Sequence, residues 1–219
     1  KLEVNTGNQK YPIFIGNNIL NKLKKFFIES SINFNQCLII ADKKVPKKIL
    51  NKVLSSLPKS STIVHYFNAN EKNKNFKSVH KILALLLNKN FNRNDCLVSL
   101  GGGITGDVSG FAASIYKRGL KFINLPTTLL SQVDSSIGGK TGVNTQYGKN
   151  LIGSFYQPSL VVSDINFLSS LPKREIICGY GEVLKHALIN DKNFFIFLNK
   201  NGSKILKLKS PFIEKAIYK

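Results

Sequence analysis

The stretch DCLVSLGGGITGDVSGFAA, residues 95–113, constrains the fold more than any other part of this sequence. Its first half is a short, continuous apolar run, the pattern of a parallel strand buried on both faces. The run meets three consecutive glycines at 101–103 and passes straight into a segment compatible with a helix. A strand that turns directly into a helix is half of a βαβ unit. Repeated, such units close as a parallel sheet with helices on both sides.

The residues before it keep the same alternation. YPIFIG, QCLIIAD and STIVHYFNA read as strands, while ILNKLKKFFIESS, KKVPKKILNKVLSSL and FKSVHKILALLLNKN carry apolar residues at helical spacing, the second with a proline near its start. This predicts an α/β fold with a doubly wound parallel sheet. After residue 168 the texture changes: LSSLPKREIICGYGEVLKHALIND and NFFIFLNKNGSKILKLKS have helical periodicity and no strand. The expected organisation is an α/β dinucleotide-binding domain over 1–168 and the first helices of a helical part over 169–219. PFIEKAIYK ends inside a helix-like run with no glycine or asparagine to stop it, as if the helical part continued.

With 219 residues and 42% hydrophobic content the chain is long enough to bury a sizeable core. It has no run of about eighteen apolar residues and no signal-peptide zones at its start. A soluble cytoplasmic protein with no membrane partner is expected. Cys37, Cys96 and Cys178 are far apart and form no C-x-x-C pair, so they are read as buried thiols. The formal net charge of +20 raises the question of nucleic acid. The cations are nearly all lysines, with arginine only at 93, 118 and 174, and they are scattered through Asn- and Ile-rich stretches. Base readout favours the guanidinium fork. A solvated basic surface with no specific nucleic-acid partner is the expectation, and it is compatible with an anionic small substrate.

Gly101, Gly103 and Gly106 satisfy G-x-G-x-x-G between strand and helix, where backbone N–H groups approach a pyrophosphate. The acid expected about twenty residues later is missing from KFINLPTT. The pattern alone leaves two readings open: a cofactor lying differently from a standard Rossmann ligand, or glycines that permit a tight turn. Asp107 is placed either to cap the helix start or to face a ligand. Asp42, at the carboxyl end of QCLIIAD, is either a ribose-binding residue or a turn carboxylate. The stretch LPTTLLSQVDSSIGGKTGVN, 125–144, reads as a hydroxyl-rich loop with one carboxylate, Asp134, and one ammonium, Lys140.

Four stretches now come together: LGGGITGDVSGFAASIYKRG, INLPTTLLSQVDSSIGGKTGVN, GKNLIGSFYQPSLVVSD and SLPKREIICGYGEVLKHALI. In this order and spacing, over residues 95–190, they resemble the 3-dehydroquinate synthase family of sugar-phosphate cyclases. NEKNKNFKSV is similar to that family's G-E-x-x-K-N segment, with Asn70 where glycine is usual.

The resemblance implies a lyase of the shikimate pathway, in aromatic amino acid and chorismate biosynthesis. Its substrate would be a phosphorylated ketose, 3-deoxy-D-arabino-heptulosonate 7-phosphate, and its cofactors NAD and a divalent metal, zinc or cobalt. NAD would oxidise the C5 alcohol, phosphate would leave, the hydride would return, and ring opening would allow aldol closure. The resemblance places Thr127 and Thr128 at NAD, with Gly101, Gly102, Gly103 and Asp107 at the pyrophosphate and nicotinamide. Asp42, Glu71 and Lys74 fall on the adenosine side. Asp134 would handle a substrate hydroxyl and its proton, Lys140, Asn150 and Lys185 would bind substrate, and Lys149 would lie beside them. Lys140 and Lys149 also fall among the cofactor contacts. Arg118 resembles a residue lent across a homodimer interface to the substrate phosphate.

Glu182 resembles the family's metal carboxylate. His186, four residues later, faces the same side of a helix and suggests a local pair. The family pattern speaks against this pair as the ligand set, because it takes its other two ligands from histidines in a later helical domain. His65 and His80 lack ligand spacing. Two alternatives stay open at this stage: a sister cyclase acting on a related substrate, and a non-catalytic dinucleotide-binding module.

Overall fold

The computed structural model describes residues 1–7, 9–58 and 61–219. Among them, the main sheet holds β1 (Leu2–Asn5), β2 (Lys10–Gly16), β3 (Gln36–Asp42), β4 (Ser61–Phe67), β5 (Cys96–Gly101), β6 (Lys121–Pro126) and β9 (Leu160–Asp164). A separate hairpin holds β7 (Lys140–Thr145) and β8 (Gly148–Phe155). The helices are α1 (Leu23–Glu29), α2 (Lys47–Ser56), α3 (Phe76–Asn88), α4 (Gly103–Ile115), α5 (Lys173–Asn190), α6 (Lys192–Leu206) and α7 (Phe212–Tyr218).

The strand order is β1-β2-β9-β6-β5-β3-β4, and every pairing is parallel except β1 with β2. Alternation along the strands divides their side chains between two faces. Cys37, Ile39, Val98 and Leu100 pack with Leu23, Phe27, Leu50 and Val53 of α1 and α2. Leu38, Ile40, Leu97 and Phe122 pack with Val79, Leu86, Val108 and Ala112 of α3 and α4. Both faces are covered, which is the doubly wound arrangement expected from the sequence. Each fully buried Leu or Ile stabilises the fold by about 1.5–3 kcal/mol relative to exposure.

Local chemistry sets the element ends. Pro46 immediately precedes α2, where a missing N–H is harmless. The side chain of Asn75 accepts from Ser78 N at the start of α3. Asn70 is extended, with φ −153°, and its side chain accepts from Asn73 N at 2.9 Å. Asparagine in place of glycine therefore needs no left-handed backbone here, and it gains a cap. The fully buried Asp164 accepts from the N–H groups of Asn18, Leu20 and Asn166, tying the turn at 19–22 to the end of β9.

The structure departs from the sequence reading at three places. The stretch 125–144 is not one loop: it ends β6, forms a π turn at Ser131–Ser135 and begins β7. Strands β1, β6 and β9 and the β7–β8 hairpin had no strand assignment. Cys178 is exposed on α5, whereas Cys37 and Cys96 are buried and paired in register on β3 and β5. Beyond residue 168, α5–α7 bury Ile176, Val183, Leu198, Ile205 and Ile213 in a third cluster, shared with Leu129, Ile165 and Leu168 from before it. No helix among the described residues is long and apolar enough to cross a membrane.

Candidate active site at the carboxyl ends of the strands

The glycine turn joins β5 to α4 next to the carboxyl end of β3. Gly102 stands before the helix with no side-chain cap, so the first N–H groups of α4 are left without the usual partner. A Cβ on Gly103 would lie 2.8 Å from Ser135 Oγ, so a larger residue there would fill the space over the helix start. Asp107 is not the cap of α4. It sits one turn inside the helix and forms an ion pair with Lys74.

A carboxylate does stand beside the glycines, and it comes from upstream of them. Because β3 lies beside β5, with Ala41 opposite Leu100, Asp42 emerges next to Gly101, and a Cβ there would approach Asp42 Cβ to 3.1 Å. Asp42 edges a cavity of about 490 Å³ with Val45, Lys47 and Tyr66. Burial pushes its carboxyl above the ordinary value, partly offset by the Lys44 N–H and ammonium and the Ala69 N–H.

A larger cavity of about 670 Å³ brings together Asp107, Asp134, Ser135, Lys140 and Asn150. Four different elements supply them: α4, the π turn, and the hairpin strands β7 and β8. Burial raises the Asp107 carboxyl, while its hydrogen bond to Lys74 and the ammonium charge pull it back. Lys74 itself is buried, donating to Asp107 Oδ2 and to Asn150 Oδ1, each at 2.5 Å. Thr127 follows β6 and donates its N–H to Gly101 O at 2.9 Å, which docks the threonine pair against the glycine turn. Thr128 exchanges hydrogen bonds with Ser131, its hydroxyl donating to Ser131 Oγ at 2.8 Å.

Beside this cavity, Asp134, Glu182 and His186 each offer one donor atom within 4.8 Å of the others. Glu182 accepts from the Lys185 ammonium and stands 3.1 Å from His186 Nε2. The Lys185 hydrogen bond holds the Glu182 carboxyl below its ordinary value against the opposing effect of burial, with His186 adding to it. Glu71 and Lys149 face each other at 3.9 Å across a shallow groove that includes Asn144 and Tyr147.

Arg118 is not brought to this group. It lines another cavity with Arg93 and Lys121, at the amino ends of the strands, where Lys117, Arg118 and Gly119 have φ of 46°, 65° and 131°. The sequence reading passed over Ser135, which faces Gly103, and Asn144, which links Glu71, Lys74 and Asn150. Both lie in the hydroxyl-rich stretch, but nothing in their spacing marks them. It set His186 aside as a ligand, and the structure places His186 with Asp134 and Glu182.

The sequence profile described as 3-dehydroquinate synthase N-terminal matches residues 64–178, more than half of the 219 residues. The chain belongs to that family. A 3-dehydroquinate synthase of Pelagibacter ubique (strain HTCC1062) is 72% identical over 218 residues, spanning 100% of this chain and 59% of that protein. Among solved structures, 2-deoxy-scyllo-inosose synthase complexed with carbaglucose-6-phosphate, NAD+ and Co2+ superposes with a TM-score of 0.86. It is 29% identical, with 99% of this chain and 61% of that one covered. The 2-epi-5-epi-valiolone synthase ValA of Streptomyces hygroscopicus subsp. jinggangensis 5008, with NAD+ and Zn2+ bound, gives a TM-score of 0.84 at 25% identity, covering 98% of this chain and 61% of that one. The chain thus spans about three fifths of the length of the 3-dehydroquinate synthase relatives it matches.

Proposed function

We propose that this chain carries the dinucleotide site and much of the substrate site of a 3-dehydroquinate synthase. This is a carbon–oxygen lyase of the cytoplasm that converts 3-deoxy-D-arabino-heptulosonate 7-phosphate to 3-dehydroquinate and phosphate. One observation carries the reading: Asp107, Asp134, Lys140 and Asn150 line one cavity beside the glycine turn, and Asp134 lies within 4.8 Å of donor atoms of Glu182 and His186.

The residues fit both cofactors. The uncapped start of α4 suits a pyrophosphate, Asp42 on the adjacent strand suits a ribose, and Thr127 and Thr128 flank the turn. Asp134, Glu182 and His186 offer two carboxylates and an imidazole, donors suited to zinc or cobalt. Glu182 is the ligand carried by resemblance, with further histidines expected from the helical part that begins at 169. Bound, NAD supplies a reversible hydride acceptor and the metal a Lewis acid.

The chain's own side chains would hold and deprotonate the substrate. Lys140 and Asn150 present an ammonium and an amide to its hydroxyls, and Asp134 takes a hydroxyl proton. With Glu182 engaged as a ligand, Lys185, now paired with it, would be free to reach the substrate. Glu71, Lys74 and Lys149 stay on the cofactor side, Lys149 and Glu71 across their shared groove. Arg118 sits at the other end of the sheet, a placement that supports service to a phosphate in a second copy's site and a homodimeric working unit.

The test joins residues 1–219 to the remaining length of the Pelagibacter ubique relative and follows phosphate release from 3-deoxy-D-arabino-heptulosonate 7-phosphate with NAD and zinc. Turnover is expected, and Glu182→Gln lowers it by about 100-fold or more, as loss of a metal ligand should. Release only from another sugar phosphate would make this a sister cyclase. NAD binding with no turnover on any of them would leave a dinucleotide-binding module.

A further inference from the structure

Lys74 stands behind the cavity wall. It is only 7% exposed, while Asp107 and Asn150, the two side chains it touches, both line the cavity. An ammonium can only donate. Its two acceptors are Asp107 Oδ2 on α4 and Asn150 Oδ1 on β8. Chemistry therefore fixes the Asn150 amide: its oxygen is turned inward, and its NH₂ is left to donate into the cavity.

The backbone closes the arrangement into a ring. Asn144 N donates to Lys74 O at 2.7 Å, and Asn150 N donates to Asn144 Oδ1 at 3.0 Å. Asn150 is held at φ 57°, a left-handed conformation that asparagine adopts more readily than other non-glycine residues, and its N–H is fixed there by Asn144. Both backbone and side chain of Asn150 thus depend on the segment that carries Lys74. The same ammonium neutralises Asp107, a partly buried carboxylate on the helix that follows the glycine turn.

We propose that Lys74 is a positioning residue: by clamping Asp107 and Asn150 together it orients the amide donor of Asn150 and joins the dinucleotide end of the cavity to its substrate end. Lys74 then acts without touching the adenosine half of the cofactor. The structural part of this inference stands on contacts alone. The ligand part rests on the reading of the cavity given under Proposed function.

The test uses the 219-residue chain and two readouts. The first needs no ligand: amide hydrogen exchange by NMR in wild type, Lys74→Met and the charge-neutral double variant Lys74→Met/Asp107→Asn. The double variant keeps the comparison available if an unpaired, partly buried Asp107 prevents the single variant from folding. Exchange at Asn150 should quicken at least tenfold in the variants, while amides 97–100 of β5 stay as in wild type. Unchanged exchange at Asn150 overturns the clamp, and so does equal quickening at Asn150 and in β5. The second readout is calorimetry with NAD and with ADP-ribose, which lacks the nicotinamide. In Lys74→Met, NAD should bind about tenfold more weakly, with ADP-ribose unchanged and part of the loss restored in Lys74→Arg. Equal weakening of both ligands would make Lys74 a direct adenosine contact and overturn the positioning role. Should wild type bind neither ligand, the cofactor reading fails and the clamp is decided by the exchange data.

Discussion

The seven-stranded sheet and the β7–β8 hairpin are built on opposite terms. Every residue of β5 is buried, whereas β8 has none that is, and its apolar residues Leu151, Ile152 and Phe155 are exposed. The sheet is held by burial on both faces. The hairpin puts one apolar side chain, Val143 of β7, into the cluster under α3 and α4, and is otherwise held by hydrogen bonds: Thr141 Oγ1 donates to Ser154 O at 2.9 Å, Ser154 bonds Ser114 of α4, and Asn144 N donates to Lys74 O. Yet the hairpin supplies Lys140 and Asn150 to the cavity, while the sheet supplies mainly the platform. Stability and ligand chemistry are thus lodged in different parts of one molecule.

The largest expected effect breaks the platform. Leu97, the second residue of β5, is 0% accessible and packs toward α3 and α4. Leu97→Ala removes buried methyls and leaves a cavity, which costs about 2–5 kcal/mol. Urea unfolding should show the midpoint falling with an unchanged slope. A loss below about 1 kcal/mol would mean that the sheet is no more tightly packed than the hairpin.

The next effect falls on the hairpin. Gly153 lies across from Gly142, and a Cβ on it would stand 2.0 Å from Thr141 O and 2.7 Å from Gly142 Cα, both backbone atoms. Gly153→Val forces the two strands apart, at about 1–3 kcal/mol for local overpacking. Backbone displacement should reach Lys140 and Asn150, which lie on either side of the Gly142–Gly153 pair, while β5 stays protected in hydrogen exchange. Equal loss of protection in β5 would show that sheet and hairpin unfold as one unit.

This division explains what could be read in advance. QCLIIAD and CLVSL are continuous apolar runs because both faces of a central strand are buried, so their place in a parallel sheet was legible. In β8, GKNLIGSF, the burial that would impose a period of two is absent, and the strand left no periodic trace. The site residues there came from motif resemblance alone. Asp42 was legible as a strand-end carboxylate, but its role beside the glycine turn depends on strand order, which places β3 next to β5. The meeting of Asp134 with Glu182 and His186 depends on the packing of α5 against the segment entering the π turn, where a Cβ on Gly179 would stand 2.6 Å from Leu129 Cβ and from Leu130 N, a long-range approach that local spacing does not encode.

A smaller effect tests whether the ligand edge of the sheet resembles its core. Burial holds the Asp42 carboxyl above its ordinary value of 3.8, so between that value and the raised one the folded chain binds more protons than the unfolded chain. Stability from this group is therefore greatest below the ordinary value and falls as pH rises through the raised one. Asp42→Asn keeps an acceptor for Lys44 N and removes the titration. Thermal unfolding against pH should show the variant gaining on wild type as pH rises from 3 to 7, with weaker NAD binding. If the variant instead loses ground with rising pH, the charged carboxylate is stabilised there and the edge is not desolvated.

The smallest effect is expected at Phe155, the last residue of β8. It is 80% exposed although it is large and apolar, and it lines the cavity with Lys140, its partner across the hairpin. Truncating a side chain that buries so little removes few contacts, and surface substitutions of this kind fall within about 0.5 kcal/mol. Phe155→Ala should leave the urea midpoint of the 219-residue chain nearly where it was, in contrast to Leu97→Ala. The same residue is one of the apolar groups a bound ligand or a second copy would cover, so any larger effect should emerge only with protein concentration or added ligand, through binding to the folded state. Measuring the midpoint at two concentrations a hundredfold apart separates the cases. A loss above about 2 kcal/mol at both concentrations would show that the hairpin is packed as a core, and that the contrast drawn between it and the sheet does not hold.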